Sequence, residues 1–324
     1  MDIEAICNAA LDGIGLGDLG RSVMPEGGEL PRGRRIDLDC GEAFYRESGG
    51  PGAGGPGVGG LGVGGSRSVP TVLLLHGWMA TGGLNWFRAF SPLGQSFRVL
   101  APDLRGHGRG LRSLRPFRLE DCADDTAELI RAVSDGPVIA VGYSMGGAVA
   151  KLLWHRHPEL VSGLVLCATG PRLIATASQR RTAKALLGTL AGTARLTQIG
   201  TYLPRKILEA LLPLPSFSDR HASPLWAGAE MARHDWRMVL EAGADLGRYD
   251  ATPWLEKIDV PTTVIVTDSD AAIDRAVQLD MARTIPGART RRIAGGHLSC
   301  ASATFGDVLV AACEDLASPS AVAA

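Results

Sequence analysis

The chain has 324 residues, 45% of them hydrophobic and 21% charged, with a formal net charge of -1 at pH 7. That length suits one large α/β domain carrying an insertion, and the near-neutral balance leaves no global field that would draw nucleic acid. No apolar run approaches the roughly 18 residues that cross a bilayer, so no transmembrane segment is expected.

The first twenty residues, MDIEAICNAALDGIGLGDLG, are acidic and lack the basic and apolar regions of a secretory signal. The six cysteines (Cys7, Cys40, Cys122, Cys167, Cys300 and Cys313) show neither C-x-x-C spacing nor zinc-site spacing with histidine. Both features predict a cytoplasmic protein with reduced thiols and no metal site.

In chain order, residues 1–33 read as a weakly structured extension ending in the loop MPEGGELPRG. RRIDLD and EAFYRES read as a hairpin turning at Cys40–Gly41. Residues 49–65 hold eleven glycines and two prolines. Such a stretch buries too little to offset its ordering entropy and reads as a flexible loop. Its G-x-G-x-x-G (Gly57, Gly59, Gly62), like that at Gly15, Gly17 and Gly20, lacks the strand before and the helix after that dinucleotide binding needs.

From Pro70 the pattern is regular. TVLLLHG and FRVLAPDL are apolar runs of buried-strand type. LEDCADDTAELIRAV has helical spacing with its acids early, as the helix dipole favours. PVIAVGYS reads as a strand, MGGAVAKLLWHRH as a helix stopped by Pro158, and LVLCAT as a strand. Residues 171–245 break the alternation, being helical in pattern with no convincing strand. TTVIVTD and RTRRIAGG resume as strands with a helix between them, and FGDVLVAACEDL follows as a helix. Alternating strands and helices predict a mostly parallel sheet with helices on both faces. The expected division is an extension (1–33), a first part of the core (34–170), a helical insert (171–245) and a second part of the core (246–324).

Chemistry concentrates at VIAVGYSMGGAVA, which runs strand, sharp turn, helix, with G-x-S-x-G at the turn. That setting forces Ser144 into strained geometry with its Oγ exposed above the sheet, and aims a helix N-terminus at the site. A serine nucleophile needs a base, and the base needs an orienting carboxylate. VIVTDSDAAID ends a strand in acids, and IAGGHLSC follows the last strand with His297. Among Asp268, Asp270 and Asp274, Asp270 is the chosen acid. Asp268 is read as finishing the strand and Asp274 as capping the next helix.

His155 and His157 fall at the end of the helix after Ser144, and His221 and His234 in the insert. His76 and His107 precede the acid in chain order. Asp103, Arg105 and His107 in PDLRGHGRG are expected to order a loop. The oxyanion needs two backbone N–H donors, expected from Met145 and, in the HGW turn, from Trp78. The chemistry calls for no metal and no cofactor.

LLLHGW, PDLRGHG, GYSMGG, the acid in VTDSD and the base in GGHLS together resemble the α/β-hydrolase fold superfamily, serine-esterase type, over roughly residues 34–316. The resemblance implies an eight-stranded, mostly parallel sheet with a helical cap inserted after strand six, where residues 171–245 fall. Relatives of this fold that open epoxides or remove halogen use an aspartate nucleophile, so Ser144 argues against both. The glycine-rich loop and Gly110, where a serine is common, depart from the pattern without touching the triad.

Between Arg172 and Leu208 the insert carries Arg172, Arg180, Arg181, Lys184, Arg195, Arg205 and Lys206 and no acid. A basic, leucine-bearing lid suits weak contact with an anionic surface or an acidic carrier, and equally a solvated face over a pocket roof. Trp86, Phe87, Phe217, Trp226 and Trp236 are candidates to line an apolar substrate pocket, against the plainer reading that they are core.

The expected activity is hydrolysis of carboxylic esters with an apolar acyl or alcohol part, on small-molecule or lipid-like substrates, through an acyl-enzyme. The alternatives are a C–C bond hydrolase or lyase, a thioesterase or acyltransferase with the same triad, and a non-catalytic binding protein on the same fold. A lyase of the menaquinone-pathway type typically has arginine where this chain has Ala148, and binding proteins often lose a triad member, whereas all three stand here.

Overall fold

The computed structural model describes residues 30–50, 69–174, 181, 185–192 and 224–317. Strands β1 (Gly33–Leu38) and β2 (Gly41–Ser48) form the expected antiparallel hairpin around Asp39 and Cys40. Then come β3 (Thr71–Leu75), β4 (Arg98–Pro102), β5 (Val138–Tyr143), β6 (Val161–Cys167), β7 (Thr262–Thr267) and β8 (Arg289–Ile293). β3, β5 and β7 are buried at every position, because a parallel sheet is covered on both faces. Each leucine so buried is worth about 1.5–3 kcal/mol relative to exposure.

The eight strands run in the order β1-β2-β4-β3-β5-β6-β7-β8. β2 is antiparallel to β4, and every pairing from β4 through β8 is parallel. Side chains two apart share a face. Leu73, Leu75, Ala140, Leu164, Leu166 and Val264 therefore pack against the helices Leu119–Val133, Met145–Arg156 and Arg275–Thr284. Val72, Leu74, Ile139, Val141, Val165 and Ile265 face the helices Phe90–Gly94 and Phe305–Ala317.

β4 lies on one side of β3 and β5 on the other. The chain thus reverses its direction of travel across the sheet beside β3. The crevice outside the carboxyl ends of strands at such a point is where open α/β sheets bind ligands. The turns after β3 and β5 carry the HGW and GYSMGG sequences, so the topology alone brings them together.

Between β6 and β7 the described residues form helices at Pro224–Met231 and Trp236–Leu246 and helical structure at 185–192, with no strand among them. The glycine-rich stretch beyond Gly50, most of residues 175–223 and with them Phe217 lie outside the described residues. Two short helices, Gly82–Trp86 and Phe90–Gly94, were not expected from the sequence, because five residues are too few to display a helical period. No helix among the described residues is long and apolar enough to cross a membrane.

Candidate active site

β5 ends at Tyr143 and the next helix begins at Met145, so Ser144 alone makes the turn, with φ 52° and ψ -114°. A non-glycine residue in that region costs about 1–3 kcal/mol and persists only where its surroundings over-determine it. The surroundings here are main chain. A Cβ on Gly142 would overlap the Gly146 carbonyl oxygen, and one on Gly146 would overlap the Leu75 carbonyl oxygen. Strand, helix and the end of β3 are thus too close for any side chain at these two positions. Ser144 N–H donates to the Cys167 carbonyl at 2.9 Å, and its own carbonyl accepts from Gly147 N–H at 2.9 Å.

The Ser144 Oγ lies 2.9 Å from His297 Nε2. On the other side of the ring, Nδ1 lies 2.9 Å from Asp270 Oδ2 and 3.1 Å from Oδ1. The structure therefore brings Ser144, His297 and Asp270 into one hydrogen-bonded chain. The Asp270 carboxylate is fully buried, yet each oxygen has protein donors. Oδ1 accepts from Ala272 N–H (2.8 Å) and Ile273 N–H (2.9 Å), and Oδ2 from the Thr267 hydroxyl (2.9 Å). Burial alone would raise its pKa; the bonds from His297, Ile273 and Thr267 outweigh burial and hold it below the usual carboxylate value. Asp268 instead forms an ion pair with Arg292, and Asp274 caps the helix Arg275–Thr284 through Ala276 N–H.

Met145 opens its helix, so its N–H has no intrahelical carbonyl to bind. Trp78 follows Gly77 in a tight turn closed by Ala80 N–H on the Gly77 carbonyl. A Cβ on Gly77 would sit 3.5 Å from the Ser144 Cβ, which sets this turn directly against the serine. Met145 thus directly follows Ser144 in the chain, and Trp78 directly follows the glycine that sits against it.

Several residues that build the site gave no sequence signal. Asn85 Oδ1 accepts from Gly77 N–H at 2.9 Å and fixes the start of the HGW turn. Gln278 donates to the Thr267 hydroxyl oxygen at 2.6 Å and so backs the acid. Tyr143 donates its phenol O–H to the His297 carbonyl at 2.8 Å. Tyr143 stood in the quoted motif; Asn85 and Gln278 could be found only from the fold.

Four of the other histidines serve the scaffold, and His221 lies outside the described residues. His76 donates from Nδ1 to the Gly77 carbonyl and accepts Leu104 N–H at Nε2; burial pushes its pKa down to about 3. His107 bonds the Arg105 carbonyl, Asp103 accepts from Gly82 and Arg109 N–H, and Arg105 pairs with Asp121 and Asp125. His157 bonds Asp124, and His155 stacks on Trp254.

The aromatic candidates divide. Trp86 is fully buried beside Tyr143 and Phe305 and belongs to the core rather than to a pocket, since its short helix turns that face to the sheet. Phe87 is buried edge-on to Trp226, and Trp236 is exposed beside His234. Arg172 does have a counter-charge, because it pairs with Asp250 beyond the acid-free stretch.

A groove of about 680 Å³ lies beside His155, Arg156, Arg248, Tyr249 and Trp254. His155 and Arg156 end the helix that Met145 begins, roughly 16 Å along at about 1.5 Å per residue. The groove is therefore separate from the serine. Arg156 and Arg248 there are already paired with Asp124 and Asp245. Among the described residues no group of three His, Cys, Asp or Glu could hold a metal ion.

Comparison with known proteins agrees with this architecture. The chain is 31% identical over 225 residues to a pimeloyl-[acyl-carrier protein] methyl ester esterase of Neisseria meningitidis, covering 68% of this chain and 83% of that protein. It is 28% identical over 220 residues to a poly(3-hydroxyalkanoate) depolymerase of Ectopseudomonas oleovorans, covering 65% and 72%. Its fold matches the structure of a thermophilic esterase from Thermogutta terrifontis with a TM-score of 0.63 at 23% identity, covering 88% of this chain and 97% of that one. The sequence profile of the alpha/beta hydrolase fold matches residues 70–303. With that profile covering most of its length, the chain belongs to the α/β-hydrolase fold family.

Proposed function

We propose that the protein is a serine hydrolase that cleaves carboxylic esters with an apolar acyl or alcohol part through an acyl-enzyme. The observation that carries this reading is the unbroken hydrogen-bond chain from Ser144 Oγ through His297 to Asp270. His297 Nε2 takes the Ser144 proton as Oγ attacks the ester carbonyl, and Asp270 holds the imidazolium that results. The tetrahedral oxyanion accepts from the N–H groups of Trp78 and Met145, each such donor being worth about 2.7–4 kcal/mol in the transition state. His297 then passes the proton to the leaving alkoxide, and water repeats the sequence to release the acid. None of these steps calls for a metal or cofactor.

The names of the two relatives support an ester substrate, since one acts on a methyl ester and the other on a poly(3-hydroxyalkanoate), a polyester. The reading includes a helical cap at residues 171–245 set on a core of 34–170 and 246–324, supported by the helices Pro224–Met231 and Trp236–Leu246. It also includes a cytoplasmic location, supported by the free thiols of Cys40, Cys122, Cys167, Cys300 and Cys313.

The test is labelling by a serine-directed alkyl phosphonate, followed by a panel of esters and thioesters of graded chain length. The expected result is one adduct, on Ser144, and turnover of apolar esters that Ser144→Ala loses by about three or more orders of magnitude. A folded Ser144→Ala protein with near-normal turnover would overturn the mechanism. Preference for thioesters across the panel would move the substrate class.

A further inference from the structure

The turn that carries Trp78 is held from outside the sheet. Met79, at φ 59°, is a non-glycine residue in the left-handed region, so the turn is not one the local sequence adopts by preference. Three partners pin it. The Trp78 indole N–H donates to the Val239 carbonyl at 2.8 Å. The Met79 carbonyl accepts from His234 Nε2 at 3.2 Å. The Thr81 hydroxyl donates to Glu230 Oε2 at 3.3 Å. All three partners lie in one short stretch, Glu230–Val239, between β6 and β7.

Each partner is itself fixed. His234 Nδ1 accepts Gly108 N–H at 2.7 Å, so the ring proton sits on Nε2, facing the Met79 carbonyl. Glu230 is fully buried and held by Arg109 through two bonds of 2.8 Å. One helical turn beyond Val239, Gly243 leaves a notch for the indole: a Cβ there would come within 2.6 Å of Trp78 Cζ2.

The two oxyanion donors differ in how they are held. The Met145 N–H is fixed by the strand and helix that bracket Ser144. The Trp78 N–H sits in a strained turn whose outer support comes from the β6–β7 segment. Oxyanion stabilisation needs donors preorganised within about 2.7–3.1 Å of the developing charge, so a turn free to relax by tenths of an ångström loses it.

We propose that the Trp78 indole and His234 are positioning residues for the oxyanion hole, with the stretch Glu230–Gly243 acting as the template that sets the Trp78 N–H. The segment between β6 and β7 thereby fixes the rate of acyl transfer. This rests on the serine mechanism proposed above, and it predicts a selective effect. Loosening the turn weakens binding of the tetrahedral species and leaves binding of the planar ester unchanged.

The experiment uses Trp78→Phe, which keeps an aromatic ring and removes the indole N–H, together with His234→Ala and His234→Gln. The glutamine retains a donor toward the Met79 carbonyl. Kinetic constants for p-nitrophenyl butyrate are read beside Ki for an alkyl boronic acid, whose serine adduct is tetrahedral.

The expected result is a fall in kcat of about tenfold or more for Trp78→Phe and His234→Ala, with KM within about twofold and boronate Ki rising in step. His234→Gln should recover most of the loss. If His234→Ala does not fold, Trp78→Phe and His234→Gln decide the matter alone. Unchanged kcat in folded variants, an effect confined to KM, or a fall in kcat with unchanged boronate affinity would overturn the proposal. Phosphonate labelling of the wild type separates the two layers. A labelled Ser144 with indifferent variants refutes the template alone; no labelling at Ser144 refutes the serine mechanism and the template with it.

Discussion

Replacing Asp270 with asparagine keeps the shape of the side chain and should still remove nearly all activity. Oδ1 accepts two main-chain N–H groups, from Ala272 and Ile273. Those groups can only donate, so the amide oxygen of the variant must occupy that place. The amide NH₂ then takes the place of Oδ2 and faces His297 Nδ1, now 2.9 Å from Oδ2. Two donors cannot pair, so the imidazole keeps its lone pair at Nδ1 and its proton at Nε2. A protonated Nε2 cannot accept the Ser144 proton across its 2.9 Å bond. Loss of the correct tautomer costs about 10⁴ in kcat, or roughly 5.5 kcal/mol at about 1.4 kcal/mol per tenfold.

Stability should change less. The charged form of Asp270 is favoured by the fold, because hydrogen bonds outweigh burial and lower its pKa. Its contribution is therefore fully present above the ordinary carboxylate value and is lost as pH falls through the lower, folded value. The difference in melting temperature between wild type and Asp270→Asn should accordingly narrow in acid. Asp268→Asn weakens only an ion pair with Arg292 that is largely exposed, worth at most about 1 kcal/mol, and should leave kcat unchanged. Asp274→Asn keeps a side chain that caps a helix as well as aspartate does. The assay is p-nitrophenyl butyrate hydrolysis beside calorimetry on all three variants. The reasoning fails if folded Asp270→Asn keeps kcat within tenfold of wild type, or if Asp268→Asn is equally damaging.

Gly146→Ala drives a Cβ into the Leu75 carbonyl, which no rotamer can relieve; we expect a loss of about 3 kcal/mol or more, seen as a fall of roughly 5 °C or more in Tm, and an unchanged Tm would contradict the steric account. Tyr143→Phe removes the hydroxyl that holds the His297 carbonyl and should lower kcat about three- to tenfold with about 1 kcal/mol of stability, measured by the same two assays; an unaltered kcat would show that the base loop needs no such tether. Lys151 is fully buried with its Nζ on the Gly170 carbonyl, and burial lowers its pKa from 10.5 to about 7. Between those values the unfolded chain binds the extra proton, so stability rises with pH across that window, and at or below pH 7 the buried amine costs roughly 5 kcal/mol. Lys151→Met removes that cost and forfeits the bond to Gly170 and a weak one to Met281 Sδ, together worth about 1–3 kcal/mol, so it should stabilise by about 2–4 kcal/mol at pH 7, a gain that shrinks toward pH 10; a gain independent of pH would refute the buried-amine account.

The elements of the core were legible in the sequence because their causes are local. An apolar run such as TVLLL must be a strand buried on both faces, and LEDCADDTAELIRAV spans Leu119–Val133 as its spacing predicts. The turn at Ser144 was legible for the same reason: Gly142 and Gly146 exclude side chains within a few residues of the serine. Chain order and strand ends also narrowed the acid to three aspartates.

Only tertiary structure decided what depends on partners distant in sequence. Met79 meets His234 across 155 positions, His297 meets Ser144 across 153, and Lys151 reaches Met281 across 130. Trp86 and Trp236 are the same residue type, yet the fold buries one in the core and exposes the other. Arg172 looks uncompensated in a stretch without acids until the fold delivers Asp250. Local sterics and hydrophobic period are written in neighbouring residues; a hydrogen-bond partner or a counter-charge is chosen by the path of the chain, and that path exists only once the sheet has formed.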